Sequence, residues 1–190
     1  MKQGTSVPLE QRIVYSQVVE GLLQHGLSGR ISPRLQKRLE QAGINVKGPL
    51  NPTYPVVMWS RCLRVIVEET WPTLPLEEGF RQLAAAHVEG YGRTFIGRAV
   101  FGVMRLLGPR RLVLRLPQTL RATDNYTEVQ LVERSPTEFE MRMNSVLDCP
   151  GYSEALFENM LRVGGAESPQ VTTLSVEEGH TTYLLTWKER

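Results

Sequence analysis

The chain has 190 residues, 41% apolar and 22% charged, with a net charge of only +2. That is ordinary globular usage in a chain long enough to bury a core without disulfides or metal, and it argues against a disordered or fibrous class. No apolar run reaches the ~20 residues of a membrane-spanning helix, because Phe95 to Leu107 is interrupted by Arg98 and Arg105; the opening MKQGTSVPLEQR lacks the apolar core of a secretory signal, so a cytoplasmic location is expected.

Leu9 to Leu27 reads as an amphipathic helix, with Val14, Val18 and Leu22 at helical spacing beside Ile13, Val19 and Leu23, ended by Gly26 and Gly29. A short second helix opens on Ser32-Pro33, N-cap then first-turn proline, and stops at Gly43. Gly48 to Pro55, with three prolines, is expected to be a stiff loop outside regular structure. The next helix places Trp59, Cys62, Leu63, Ile66 and Val67 on one face and closes at Trp71-Pro72.

Pro75 to Leu107 is the longest helical pattern, with Phe80, Leu83, His87 and Tyr91 on one stripe. Glycines at 90, 92 and 97 each cost about 0.5–1 kcal/mol in a helix. They mark either a break near Gly90-Tyr-Gly92 or the close approach of another backbone or a ligand. At Gly108-Pro109 a C-cap glycine precedes a first-turn proline. Arg110 to Arg121 then continues as a basic helix with Leu112, Leu116 and Leu120 inward, which Pro117 must strain or shorten.

From Asn125 the apolar period changes from 3.6 to 2. Glu138 to Asn144 alternates strictly and pairs with Tyr126 to Arg134 across Ser135-Pro-Thr137. A helix from Tyr152 to Val163 ends at Gly164-Gly165, and a second hairpin joins Val171–Val176 to Thr181–Trp187 around Glu178-Gly179. The expected fold class is therefore α+β. About five helices over residues 9–121 pack on a four-stranded antiparallel sheet over 125–188, in the order hairpin, helix, hairpin, all within one domain.

Chemistry is sparsely signalled. Cys62 and Cys149 lie far apart with no CxxC or Cys/His spacing, so no metal site is expected and both read as buried thiols. Ser16, Ser32, Ser60 and Ser145 stand in no nucleophile context, and no catalytic residue is assigned. The glycines from 90 to 97 match neither phosphate-loop spacing. His87, inward on its stripe, reads as a packed, hydrogen-bonded histidine before it reads as a haem ligand.

Charge is unevenly spread. Gly90 to Thr123 holds seven arginines and no acidic residue, whereas twelve acidic residues face five basic ones from Asp124 onward. Arg110 and Arg111 open a helix whose free N–H groups favour an anion, with Arg93 and Arg98 as neighbours if the long helix ends there. The other reading pairs these arginines with Glu128, Glu133 or Glu140. Nucleic acid is not supported, since no aromatic residues interleave with the arginines in a stacking pattern.

Leu107-Gly-Pro-Arg-Arg111, Leu116-Pro117, Arg121 and Asn125-Tyr-x-Glu128 resemble a paralogous family of uncharacterised domains abundant in myxobacteria. Tyr54-Pro55, Trp59, Cys62, Glu89-Gly-Tyr91, Gly97-Arg98 and Trp187 extend the likeness over nearly the whole chain. The order of elements is more loosely similar to a superfamily containing haem-nitric-oxide-binding domains, vinyl-reductase-like sensors and subunits of vesicle-tethering complexes. That resemblance implies a pocket between helices and sheet, holding a haem, a fatty acyl chain or an aromatic ligand. The chain lacks the Tyr-x-Ser-x-Arg run of the haem-binding members, and the cofactor is left unassigned.

The reading is a non-enzymatic sensor or regulatory domain for an apolar or amphipathic small molecule. Its candidate ligand-binding residues are Tyr91, Arg93, Arg98, Arg110, Arg111, Asn125 and Tyr126. The alternative is an interaction module that forms a homodimer through its N-terminal helix or offers its basic face to an acidic partner.

Overall fold

The computed structural model describes residues 7–144, 148–177 and 179–188. Its architecture is α+β as expected, and its largest departure from the expected elements lies at the N-terminus. Leu9–Gln11 is a single 3-10 turn, Ile13–Tyr15 is strand β1, and helix α1 begins only at Ser16 (Ser16–Glu20) before widening into π-helical turns over Gly21–Gly26. The expected helix from Leu9 is thus corrected over its first third. Ile13, Val14 and Tyr15 are β-branched or aromatic and suit an extended ribbon, and they find a partner in the proline-rich connection.

Thr53–Pro55 of that connection is strand β2, antiparallel to β1 in the register Ile13↔Pro55, Val14↔Tyr54 and Tyr15↔Thr53. The stiff loop therefore supplies regular structure after all. Its prolines flank the ribbon or end it, where a donor is dispensable, while Val56 N–H reaches the Arg12 carbonyl at 2.9 Å and Ser16 N–H that of Pro52 at 3.0 Å.

Helix α2 (Pro33–Ala42) is capped as expected, with Ser32 Oγ accepting from Leu35 N–H at 3.1 Å and Gly43 in the left-handed region at φ 112°. Helix α3 (Val56–Thr70) buries Trp59, Cys62, Leu63, Ile66 and Val67. The long pattern that follows is two helices, α4 (Leu76–Tyr91) and α5 (Phe95–Arg121), the second opened by Thr94 Oγ1 accepting from Gly97 N–H at 2.9 Å. Both alternatives for the glycines hold. The helix breaks after Tyr91, and Gly90 meets another backbone: a Cβ there would lie 2.1 Å from the Gly21 oxygen and 2.4 Å from the Gly26 nitrogen.

Helix α5 is kinked at Gly108 (φ 76°, ψ 168°) into limbs spanning 95–107 and 109–121. Contrary to expectation, Pro117 neither shortens the second limb nor takes it out of helical torsion angles. Burial of Leu112, Leu116 and Leu120 against the sheet outweighs the one bond the proline omits.

Strands β3 (Val129–Ser135), β4 (Glu138–Met143), β5 (Glu167–Glu177) and β6 (His180–Lys188) form the expected antiparallel sheet in the order β3-β4-β6-β5, with helix α6 (Tyr152–Val163) between the hairpins. Gly179 turns the second hairpin at φ 74°; Glu178 and Ser145 lie outside the described residues. Phe139, Met141, Tyr183, Leu185 and Trp187 form the inner face against α6 and the second limb of α5. A second core joins β1, α1 and its π-helical extension, α2, α3 and α4. There Val18, Val19, Leu22 and Leu23 are buried within the fold, so the N-terminal helix keeps none of these side chains for a dimer.

Candidate functional site: a cavity between helices and sheet

A cavity of about 150 Å³ lies where the two cores meet. Val14 and Val18 border it from β1 and α1, Trp59 from α3, and His87, Val88 and Tyr91 from α4. Both limbs of α5 contribute, through Phe101 and Met104 and through Thr119 and Leu120. Helix α6 adds Tyr152, Leu156, Phe157 and Met160, and the junction before the sheet adds Asp124, Tyr126 and Thr127.

His87 is buried with both ring nitrogens engaged. The Val18 carbonyl, 3.0 Å from Nε2, can only accept, so Nε2 carries the proton and Nδ1 accepts from the Tyr152 hydroxyl. Burial lowers the His87 pKa to about 4 and raises that of Tyr152. The pair is neutral at pH 7, and the Trp59 ring stands edge-on to the imidazole at 6.1 Å.

The junction is locally self-satisfied. The buried Asp124 carboxylate accepts from Tyr126 N–H at 3.0 Å, Thr127 N–H at 2.6 Å and Thr127 Oγ1 at 2.7 Å. Asn125 ties the same segment to the N-terminus, Oδ1 accepting from Ile13 N–H at 2.9 Å and Nδ2 donating to the Gln11 carbonyl at 3.0 Å. Burial, then Asp124, pushes the Tyr126 hydroxyl pKa up, and Arg12 lies over the Tyr126 ring at 5.4 Å.

Of the residues singled out from sequence, Tyr91 and Tyr126 line the cavity, and Asn125 is exposed in its tethering role. The four arginines are not brought to it. Arg93 and Arg98 line a surface groove with Arg105 and Arg162, walled from the cavity by Val88 and Phe101, and Arg93 pairs with Glu89. Arg110 makes a two-pronged pair with Glu133 at 2.7 and 3.1 Å, and Arg111 lies in a separate depression beside Trp187. For Arg110 the intramolecular pairing is the reading the structure adopts.

Sequence reasoning missed Tyr152, Asp124 and Thr127 as wall residues. The spacing of Asp124 and Thr127 is a turn signal that could have found two of them; nothing local links Tyr152 to His87. Burial raises the pKa of Cys62 to about 11 and of Cys149 to about 12, which keeps both as thiols of low reactivity. Among the described residues no group of three or more His, Cys, Asp or Glu could hold a metal ion.

The fold is that of H-NOX domains. The H-NOX protein from K. algicida in its Fe(II) unliganded form superposes with a TM-score of 0.66 at 8% identity, over 92% of this chain and 96% of that one. A single-residue variant of it gives 0.67 at 7% over 92% and 97%. An oxygen-binding H-NOX domain related to soluble guanylate cyclases gives 0.59 at 12% over 90% and 94%. No curated protein sequence matches the chain. Residues 12–188 match the family described as protein of unknown function DUF2378, and the chain belongs to that family.

Haem, whose distortion has been probed in the H-NOX family, does not fit this site. The cavity of about 150 Å³ is below the roughly 300–1,000 Å³ of a drug-sized pocket, and a porphyrin is at least drug-sized. The one histidine on its wall has no free nitrogen for iron.

Proposed function

We propose that this chain is a sensor domain without enzymatic activity of its own, which binds a small apolar molecule, or the apolar end of an amphipathic one, in the cavity between its helices and sheet. The single observation that carries this reading is an apolar cavity at the junction of the two cores whose buried polar residues His87, Tyr152, Asp124 and Thr127 are already hydrogen-bonded within the protein. Such walls select a ligand chiefly by shape. A cavity of about 150 Å³ in another protein stays dry and takes benzene or xenon, so the expected ligand has the bulk of a single ring. Tyr152 Oη, which donates to His87, keeps acceptor capacity for a ligand hydroxyl or N–H. The H-NOX-like fold supports a sensing role, and sensing here means a change in stability or shape on uptake, with no bond made or broken.

Thermal unfolding with benzene, phenol and indole tests the reading. A ligand present at one hundred times its dissociation constant stabilises by about 2.7 kcal/mol, seen as a higher melting temperature that Leu156→Trp, which fills the cavity, removes. Absence of any shift with all three, together with no xenon uptake by ¹²⁹Xe NMR, would sink it.

A further inference from the structure

We infer that the first limb of α5 is a docking surface for an anionic lipid bilayer. This limb turns apolar side chains toward solvent. Phe95 is 82% exposed, Leu106 87%, Val103 48% and Ile96 46%. At 100° per residue Phe95, Ala99, Gly102, Val103 and Leu106 fall on one stripe running the length of the limb, about 20 Å. Gly97, Phe101 and Met104 are buried on the other side. Scattered exposed apolar residues need no explanation, but a continuous stripe does.

The stripe runs between two basic borders. On one side Arg98 and Arg105 share a groove with Arg93 and Arg162; on the other, Arg115 lines the cleft between the limbs beside Ala99 and Val103. Glu89 is the one carboxylate among the residues of either groove, and it pairs with Arg93. Among the described residues, Arg98, Arg105 and Arg115 have no ion-pair partner, and no acidic residue occurs from Gly90 to Thr123. Whatever covers this surface is apolar along the middle and anionic along both edges.

An anionic bilayer has that profile in depth. Its acyl boundary receives Phe95 and Leu106 while its phosphates meet the flanking arginines, with the helix lying in the interface. No helix among the described residues is long and apolar enough to cross a membrane, so contact is with the surface. A second copy fits less well, because limb against limb brings arginine borders together with no carboxylate on either limb to answer them. A protein groove fits less well because it would have to be apolar along its floor and acidic along both rims, whereas any anionic bilayer meets that demand over its whole surface. None of these observations depends on what the cavity binds.

Co-sedimentation of the full chain with vesicles of phosphatidylcholine, with and without phosphatidylserine, tests it. The expected result is binding that requires phosphatidylserine and weakens with added salt. Arg98→Ala/Arg105→Ala lowers the partition about 25-fold, at about fivefold per arginine, and Phe95→Ser/Leu106→Ser lowers it at least about tenfold. All four side chains are exposed, and circular dichroism checks that the variants fold. No binding to phosphatidylserine vesicles at low salt overturns the proposal. So does binding that either double variant leaves unchanged. A concentration-dependent dimer, lost in Leu106→Ser, from a chain that ignores vesicles would overturn it in favour of a second copy.

Discussion

Helix α4 and the first limb of α5 follow one another in sequence, both apolar and both punctuated by glycine, yet one is built into the core and the other rides on the surface. Helix α4 buries Phe80, Leu83, Ala84, His87 and Val88, and its glycines are contact points: a Cβ on Gly79 would meet Val67 at 2.4 Å, and one on Gly90 the π-helical backbone. The α5 limb packs closely at its start, where a Cβ on Gly97 would lie 1.7 Å from the Tyr91 oxygen. Past that point Gly102 has nothing within 4 Å of its missing side chain. Apolar composition therefore does not distinguish a helix that stabilises the fold from one that offers a surface. What distinguishes them is the side from which another backbone approaches.

The sharpest way to break this contrast is Gly90→Ala. The atoms it would strike are backbone and have no rotamer to yield, so a loss of about 3 kcal/mol or more in urea unfolding is expected. A loss below about 1 kcal/mol would show that α4 is not locked to the π-helical turns. The next largest effect depends on pH. His87 has a folded pKa of about 4 against about 6.5 unfolded, so the unfolded chain binds the extra proton first. The stabilisation is complete above pH 6.5 and declines as pH falls toward 4, by about 3 kcal/mol in all. His87→Gln should flatten that slope; a slope unchanged in the variant assigns the acid sensitivity to other groups. The smallest effect has the opposite sign. Gly102→Ala should stabilise by about 0.5–1 kcal/mol, since alanine suits a helix and meets no neighbour; a loss would mean the surface is packed against something.

Elements with one unambiguous period and clear stops were legible from sequence. Helix α6 begins at Tyr152 and ends at Val163 as read, because Gly164 stops it, and β4 alternates without exception. The N-terminus was not legible, because Ile13-Val14-Tyr15 fits a helical stripe as well as a ribbon, and its partner Thr53–Pro55 lies about forty residues away in a segment whose prolines argue against a strand. The same limit applies to the cavity. His87 and Tyr91 declared themselves by their stripe, but Tyr152 is 65 residues from His87, and only the docking of α6 on α4 brings them together. The partner of Arg110 was not legible because it is not local: Glu133 reaches it from a strand.

The kink at Gly108 has a consequence for how the cavity communicates. Its positive φ and the empty space around it make it an elbow. Phe101 and Met104 on the upper arm and Thr119 and Leu120 on the forearm bound the same void. A guest that fits one elbow angle better than another would therefore link occupancy to that angle. Such a guest draws the arm toward it, and anything outside that holds the arm at that angle tightens the guest by the same factor.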